Sequence, residues 1–285
     1  MLVSVIIPAF NCKETLKLAV DSILLGSYTN IEILIIDDEK LGIEYIKKIY
    51  ETHFSSEARV RYFKNTQGLK NKKRRGINTD AGTSARNLGL QESRGEWVTF
   101  QDSDDFSLLN RIEIQLDYAD KYKSNHVTIE CLWAEKAFEF KSLNLSLFLS
   151  KNKLNICTKV EIDASRTSSM GVLTKKLPDF LFSLIPFRLK ASRFTRGFFF
   201  LNEKGYPGSA NCSLIKKELL KNIRFRQLDL RRWPSFRGRG TDRDFNYQVS
   251  ELANSNSIKI SIPLYCWSTP TRFSYPIEMK NYINS

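Results

Sequence analysis

The chain has two histidines, His53 and His126, and five cysteines with no CxxC pair. This leaves neither a zinc-site spacing nor a disulfide framework, and buried thiols are the simplest reading of Cys12, Cys131, Cys157, Cys212 and Cys266. Glycine is missing where phosphate loops need it. There is no GxxxxGK[ST] sequence, which excludes P-loop kinase and NTPase chemistry. Long apolar runs are also missing: VSVII and FLFSLI fall far short of the roughly 20 residues a spanning helix needs, so no transmembrane helix is predicted. MLVSVIIP has neither a charged leader nor a long apolar stretch, so it reads as a first strand rather than a secretory signal, and a cytosolic protein is expected. Acid is in deficit, with 31 Asp and Glu against 44 Lys and Arg and a formal charge of +13. That balance implies an anionic partner: a nucleotide, a phosphorylated lipid, an acidic membrane face or nucleic acid.

A hydrophobic fraction of 42% is that of a globular chain, and 285 residues suffice for one large domain or a domain with a sizeable excursion. LVSVII (2–7) and IEILII (31–36) are continuous apolar, β-branched runs, the pattern of strands buried on both faces of a parallel sheet. Between them, Asn11 with Glu14 reads as a helix start, followed by Leu16, Ala19, Val20, Ile23 and Leu24 at helical spacing. GIEYIKKIY reads as a second helix and RVRYF as a third strand. The opening third is therefore βαβαβ, which implies a mostly parallel α/β sheet.

LKNKKRRGINTD (69–80) is a basic insertion with loop composition, and a helix from Thr83 leads to the strand EWVTFQ (96–101). Asn110 and Glu113 form a second capping-box pair before a helix to Tyr122. Later elements are SANCSLI (209–215) as a strand, KKELLKN as a short helix, DRDFNYQVSELAN (242–254) as a helix and SIKISI (257–262) as a strand. Periodicity weakens over 125–205, where KKLPDFLFSLIPFRLKASRFTRGFFF (175–200) alternates aromatic and basic residues. That suits contact with an acidic membrane, or equally a buried excursion with snorkelling Lys and Arg. Asp37 and Asp38 end one strand and Asp102, Asp104 and Asp105 end another. Ligands of open α/β sheets sit beyond such ends, so the two acidic clusters are expected to face one cleft.

VSVIIPAFN, IIDD, SARNLGL, FQDSDD and GTDRDF, in that order, closely resemble the sequential landmarks of the family 2 glycosyltransferases of GT-A fold. The resemblance is dense over 1–122, thin through the middle, and returns at 205–250. It implies a GT-A (Rossmann-like) mostly parallel sheet flanked by helices. Residues 1–125 would be the nucleotide-sugar half and 126–285 the acceptor half of the same domain, with a variable insertion over 126–205. The implied activity is inverting transfer of a sugar from a nucleotide-diphospho-sugar, a UDP- or GDP-sugar, to a hydroxyl of a saccharide or lipid-linked acceptor. Cell-surface polysaccharide or glycolipid synthesis at the inner membrane face is the corresponding setting.

The resemblance also implies roles residue by residue. Asp104 falls on the metal ligand, for Mn²⁺ or Mg²⁺, and Asp102 on the nucleotide side of the DxD triplet. Asp105 would stand behind the metal ligands or on the approach to the next helix. Pro8, Ala9 and Phe10 match the nucleotide-pocket wall, Asp38 the carboxylate on base or ribose, and Arg86 (beside Asn87) an arginine supporting that pocket. Asp242 matches the catalytic aspartate, with Thr241 where many members have Glu. Asp244 is the rival for that role, or else a first-turn acid favoured by the helix dipole. By their own composition Trp233 and Arg239, in the basic, aromatic stretch RRWPSFRGRG (231–240), read with Asp244 as acceptor-side residues, or that stretch as a solvated basic loop.

Two departures stand out. IIDDEKLG replaces the usual IDDGS-like turn, and YCWSTPTRFSY (265–275) lacks the late histidine of several relatives, leaving Arg272 or Lys280 as electrostatic substitutes. The chemistry agrees with the residue types, since a departing diphosphate needs charge neutralisation and hard divalent cations take carboxylate oxygens. A sugar-phosphate nucleotidyltransferase is the alternative enzyme, but VIIPAFNCKE lacks its glycine-rich signature. A non-enzymatic binder of anionic polymer would use KNKKRR and RRWPSFRGR, yet leaves the acidic clusters without a purpose, so no nucleic-acid partner is expected.

Overall fold

The computed structural model describes residues 1–66, 80, 82–135, 141–201, 208–232, 240–269 and 282–284. The opening apolar run forms β1 (Val3–Ala9), followed by α1 (Leu16–Leu24), β2 (Ile31–Asp37), α2 (Tyr45–His53), β3 (Val60–Lys64), α3 (Thr83–Glu92) and β4 (Trp97–Phe100). β1 lies between β2 and β4, parallel to both, and β3 adds to β2 in parallel. The alternation of side chains along these strands explains why their sequences look uniformly apolar. Val3, Val5 and Ile7 join one core with Leu16, Val20 and Ile23 of α1. Ile6 joins the other with Ala85 and Leu90 of α3, so both faces of the strand are covered.

The fit of α3 on β1 is close enough to demand glycine. A Cβ placed on Gly89 would stand 2.3 Å from Cγ2 of Ile6, so the glycine in SARNLGL sets the distance between helix and sheet.

Beyond β4 come β5 (Phe106–Ser107), α4 (Arg111–Lys121), β6 (His126–Glu135), β7 (Ser142–Leu143), α5 (Leu145–Lys151), β8 (Ile156–Cys157) and α6 (Lys159–Ser169). Four short helices follow, α7 (Val172–Lys176), α8 (Asp179–Leu184), α9 (Phe187–Ala191) and α10 (Arg196–Phe199). Then come β9 (Ser213–Lys216), α11 (Thr241–Glu251), β10 (Ser257–Thr269) and β11 (Ile283–Asn284). The main sheet runs β3-β2-β1-β4-β9-β6-β10-β5, with β8 pairing β10. β6 and β10 are parallel, and β9 is antiparallel to both β4 and β6. The later half of the chain thus extends the same sheet. This is the mixed, mostly parallel α/β sheet flanked by helices that the strand pattern implies.

Two helix starts differ from expectation. α1 begins after Thr15, because Asn11 takes a positive φ of 49° and its backbone N–H donates to Glu39 Oε1 at 2.6 Å, keeping the chain in a loop for four more residues. Asn110 does precede α4 but makes no cap bond; its side chain exchanges two hydrogen bonds with the backbone of Leu143, at 2.8 and 3.0 Å. A capping box does form at Thr158 and Glu161, opening α6. All five cysteines are free. Among the described residues no helix is long and apolar enough to cross a membrane.

Candidate active site

The acidic turn hangs from the C-terminal end of β4, and a buried arginine holds it from below. Arg111, 1% exposed, donates to Thr99 Oγ1 (2.6 Å), Ser107 Oγ (2.8 Å), Gln101 Oε1 (3.3 Å) and Gln115 Oε1 (3.1 Å). It also donates to the backbone carbonyl of Asn211 and lies 5.0 Å from the centre of the Tyr265 ring. A charged donor satisfied this fully fixes the turn to three separate elements. From β10, Tyr265 accepts the Asp102 backbone N–H (3.0 Å) and donates to Asp105 Oδ2 (2.8 Å), while the Ser268 N–H donates to Asp105 Oδ1 (2.9 Å).

The three aspartates therefore differ. Asp105 is buried and spends both oxygens on β10, and burial together with the neighbouring Asp102 charge pushes its carboxyl up. Asp102 accepts from Arg86 Nη2 at 2.7 Å on one oxygen and from Asn211 Nδ2 on the other. Asp104 is the exposed member. One oxygen from each of the three lies within 4.8 Å of the others. This hard, all-oxygen donor set fits a divalent cation such as Mg²⁺ or Mn²⁺. After burial, the Asp102 and Asp104 charges add to the rise of the Asp105 pKa, and such an ion would relieve that crowding.

The start of α11 interacts with this turn through charge. Gly240 precedes it with φ of +96°, a conformation that a side chain resists, and Asp242 occupies the first turn. Asp242 is half-buried. Burial pushes its carboxyl above the ordinary range, Arg86 opposes that shift, Asp102 adds to it and Arg231 opposes it. Asp102 and Asp242 thus share one guanidinium, that of Arg86. Burial disfavours the Arg86 charge, but Asp102 and Asp242 outweigh it and raise the Arg86 pKa. Asp244, two residues on, is 1% exposed and accepts from the Arg232 backbone N–H (2.9 Å) and Gln248 Nε2 (3.1 Å), with Arg226 Nε at 3.8 Å. It binds the 226–232 segment to α11.

At the neighbouring strand ends, Asp38 is buried and accepts from Asn65 Nδ2 at 2.7 Å. Asn65 also donates to Ser84 Oγ (2.9 Å), which in turn donates to Asp80 Oδ2 (2.8 Å). Asp37 plays a different part. It is fully buried and held by the Tyr62 hydroxyl (2.7 Å), Lys64 Nζ (3.0 Å) and the Glu39 N–H (2.9 Å), so the β2 end brings one of its two aspartates, Asp38, to Asn65 and α3. Ala9 is buried and its carbonyl accepts the Asp38 N–H at 2.9 Å. Phe10 is 53% exposed, and Pro8 is half-buried where the start of α3 approaches β1. Trp233, Arg239, Arg272, Lys280 and nearly all of the 69–80 insertion lie outside the described residues. His126 is buried at the start of β6, hydrogen-bonded to Ser257 (2.9 Å), and takes no part in the site.

Three contributors escaped the linear reading: Asn211, Tyr265 and Asn65. Asn211 sits in a run read as a strand, SANCSLI. It opens instead as a tight turn over Ala210–Cys212, capped by Ser209, and the polar residue inside the apolar run is the signal that marks it.

The strand-end carboxylates, the shared arginine and the mixed sheet define an α/β protein with a cluster of acidic oxygens at the sheet's carboxyl edge. The profile of Glycosyl transferase family 2 matches residues 4–224, and the chain belongs to that family. It is 32% identical over 124 residues to the Escherichia coli UDP-Glc:alpha-D-GlcNAc-diphosphoundecaprenol beta-1,3-glucosyltransferase WfaP, covering 43% of each chain. It is 34% identical over 120 residues to an uncharacterized glycosyltransferase of Haemophilus influenzae, covering 41% of this chain and 42% of that one. The matches thus span less than half the length of these curated relatives. Among solved structures, S. aureus TarS 1-349 in complex with UDP-GlcNAc superposes with a TM-score of 0.57 at 15% identity, over 96% of this chain and 60% of that one. The Pyrobaculum calidifontis mannosyltransferase PcManGT in complex with GDP-Man and Mn²⁺ gives 0.52 at 15% identity, over 95% and 57%. These likenesses show that the fold is that of GT-A glycosyltransferases.

Proposed function

We propose that this protein transfers a sugar from a UDP- or GDP-sugar, with inversion, to a hydroxyl of a saccharide or lipid-linked acceptor in cell-surface polysaccharide or glycolipid assembly, working at the cytoplasmic face of the membrane. The observation that carries this reading is that Arg86, hydrogen-bonded to Asp102 at the end of β4, is also a charge partner of Asp242 at the start of α11. The donor half is 1–125 and the acceptor half 126–285, with the variable insertion over 126–205.

In this reading Pro8, Ala9 and Phe10 wall the nucleotide, Asp38 takes base or ribose, and Arg86 braces Asp102 beside the diphosphate. Asp104, with Asp102, would hold Mn²⁺ or Mg²⁺, which when bound supplies neutralisation of the departing diphosphate. Asp242 takes the acceptor hydroxyl proton as the oxygen bonds to the anomeric carbon and the bonding pair leaves with the diphosphate. A carboxyl raised by burial suits a base that must hold a proton near neutral pH. Asp244, Trp233 and Arg239 belong to the acceptor side, Asp244 by holding the segment that leads to it. The relatives support the acceptor class, because WfaP is named for a diphosphoundecaprenol-linked substrate.

Calorimetric titration with UDP and GDP, with and without Mn²⁺, tests the donor side. Asp104→Ala should remove the metal-dependent part of binding, weakening it about tenfold or more. Asp242→Asn should leave nucleotide binding intact while transfer falls by about 10²-fold or more. Metal-independent binding that ignores Asp104→Ala would sink the site assignment.

A further inference from the structure

Between α6 and residue 201 the chain makes a closed excursion. Met170 and Phe200 form an antiparallel bridge, with Gly171 N–H to Phe199 O at 2.9 Å and Leu201 N–H to Ser169 O at 2.8 Å. The two ends of the excursion are therefore pinned together. Inside it α7, α8, α9 and α10 are each six residues or shorter, and Pro178 and Pro186 sit at the N-caps of α8 and α9. Proline cannot continue the preceding helix, so the apolar sequence is broken into a folded mat instead of one long helix. α10 packs against α7 and α9.

The inner side of this mat is an ordinary core: Phe182 and Phe199 meet at 5.8 Å and 83°, beside Met170, Phe200 and Tyr247. The outer side is not. Phe180 is 67% exposed, Leu184 74%, Leu189 50%, Phe194 87% and Phe198 57%. Scattered single exposures need no cause, but eight exposed large apolar side chains on one small excursion do, these five together with Val172, Leu181 and Leu201. Lys175, Lys176, Arg188 and Arg193 are exposed among them. The excursion's one acid, Asp179, is already bound by Arg232 Nε (2.9 Å) and Arg226 Nη2 (3.7 Å). Those contacts face the site, since the Arg232 backbone N–H is held by Asp244 on α11, one half-turn from Asp242.

We propose that the 172–201 excursion is a membrane-docking surface that lies in the plane of an anionic phospholipid bilayer. Phe180, Leu184, Leu189, Phe194 and Phe198 enter the boundary between headgroups and acyl chains, and the four exposed cations meet lipid phosphates. Charge selects the bilayer over a second copy of this chain. A two-fold pairing of the patch would set each basic cluster against its own like, whereas an anionic leaflet brings the opposite sign. The contact would hold the acceptor side of the site at the lipid surface; that purpose rests on the lipid-linked acceptor proposed above, while the contact itself does not.

The test is flotation of the 285-residue chain with vesicles of phosphatidylcholine alone and of phosphatidylcholine mixed with phosphatidylglycerol. Binding should require the anionic lipid and weaken as salt is raised. Leu184→Ser with Phe194→Ser, both at exposed positions, should lower partitioning at least about tenfold, and Lys175→Glu with Lys176→Glu should remove the preference for anionic lipid. Light scattering and UDP or GDP titration with Mn²⁺ on the same variants should show an unchanged mass and unchanged nucleotide binding. No binding to mixed vesicles, equal binding by the apolar double variant, or a wild-type dimer that this variant dissolves would each overturn the proposal. Absence of nucleotide binding in a wild type that does float would overturn the transferase reading and leave the docking surface standing.

Discussion

Arg86 donates to Asp102 at 2.7 Å, and its charge also opposes the rise that burial imposes on the Asp242 pKa. One guanidinium therefore serves the β4 turn and the α11 turn together. Their sequence separation is 140 positions, the difference of the two residue numbers, so this pairing is a product of the fold.

The shared arginine sets a pH dependence. Removing a cation beside a carboxylate raises the carboxylate's pKa, so in Arg86→Gln the proposed base, Asp242, stays protonated to higher pH. The acidic limb of the transfer rate should then move to higher pH by about one unit. Arg86→Lys keeps the charge and should move it much less. A pH–rate profile, run with whichever nucleotide-sugar supports turnover, reads this directly; an unmoved limb in Arg86→Gln would mean that Asp242 does not titrate in catalysis.

Asp242 and Asp244 share a helix turn but should behave oppositely in unfolding experiments. Asp244 is buried among Arg226, the Arg232 N–H and Gln248, so Asp244→Ala should cost about 3 kcal/mol by leaving charge and donors without their acceptor. Asp242 carries a raised pKa, which means that burial works against its charged form at neutral pH. Asp242→Asn should therefore unfold at the same or higher urea concentration, a pattern common where function is held at the expense of stability. Urea titration of both variants at neutral pH distinguishes them.

His126 links stability to acid. Burial, with the Lys159 charge adding to it, lowers its pKa from 6.5 to about 3, so the folded protein keeps it neutral while the unfolded chain takes up a proton below 6.5. Its stabilising share is complete above pH 6.5 and is lost as pH falls toward 3, at about 1.4 kcal/mol per pH unit. Between pH 7 and pH 5 that amounts to about 2 kcal/mol. His126→Gln should lose less stability over the same interval, as measured by urea unfolding at the two pH values.

Much of the fold is legible along the chain. Continuous β-branched runs announce β1 and β2 because both faces of those strands are buried, and GTDRDFNYQVSE announces α11 by its acidic first turn and its periodicity. β6 was not legible, although it is ten residues long, because HVTIECLWAE mixes polar and apolar residues without a clean period. α7 to α10 were hidden for another reason: helices of four to six residues are too short to show a period at all. Asn11 misled because a cap residue and a loop residue at positive φ draw on the same side-chain types.

At the site, local order in the chain was enough to single out the carboxylates of FQDSDD and GTDRDF and the arginine of SARNLGL as candidates, since each sits in a compact stretch at a strand end or helix start. It could not distribute their work. Asp37 and Asp38 are neighbours in sequence, yet one is locked to Tyr62 and Lys64 and the other reaches Asn65. Asp102, Asp104 and Asp105 form one acidic cluster on paper; Arg86 and Asn211 take the first, Tyr265 and Ser268 take the last, and the middle one stays at the surface. The physical reason is that residue type decides what a group can do, while burial and hydrogen-bond partners decide what it is left to do. Here those partners, Asn211 and Tyr265, come from 109 and 163 positions along the chain and meet the turn through packing of the sheet.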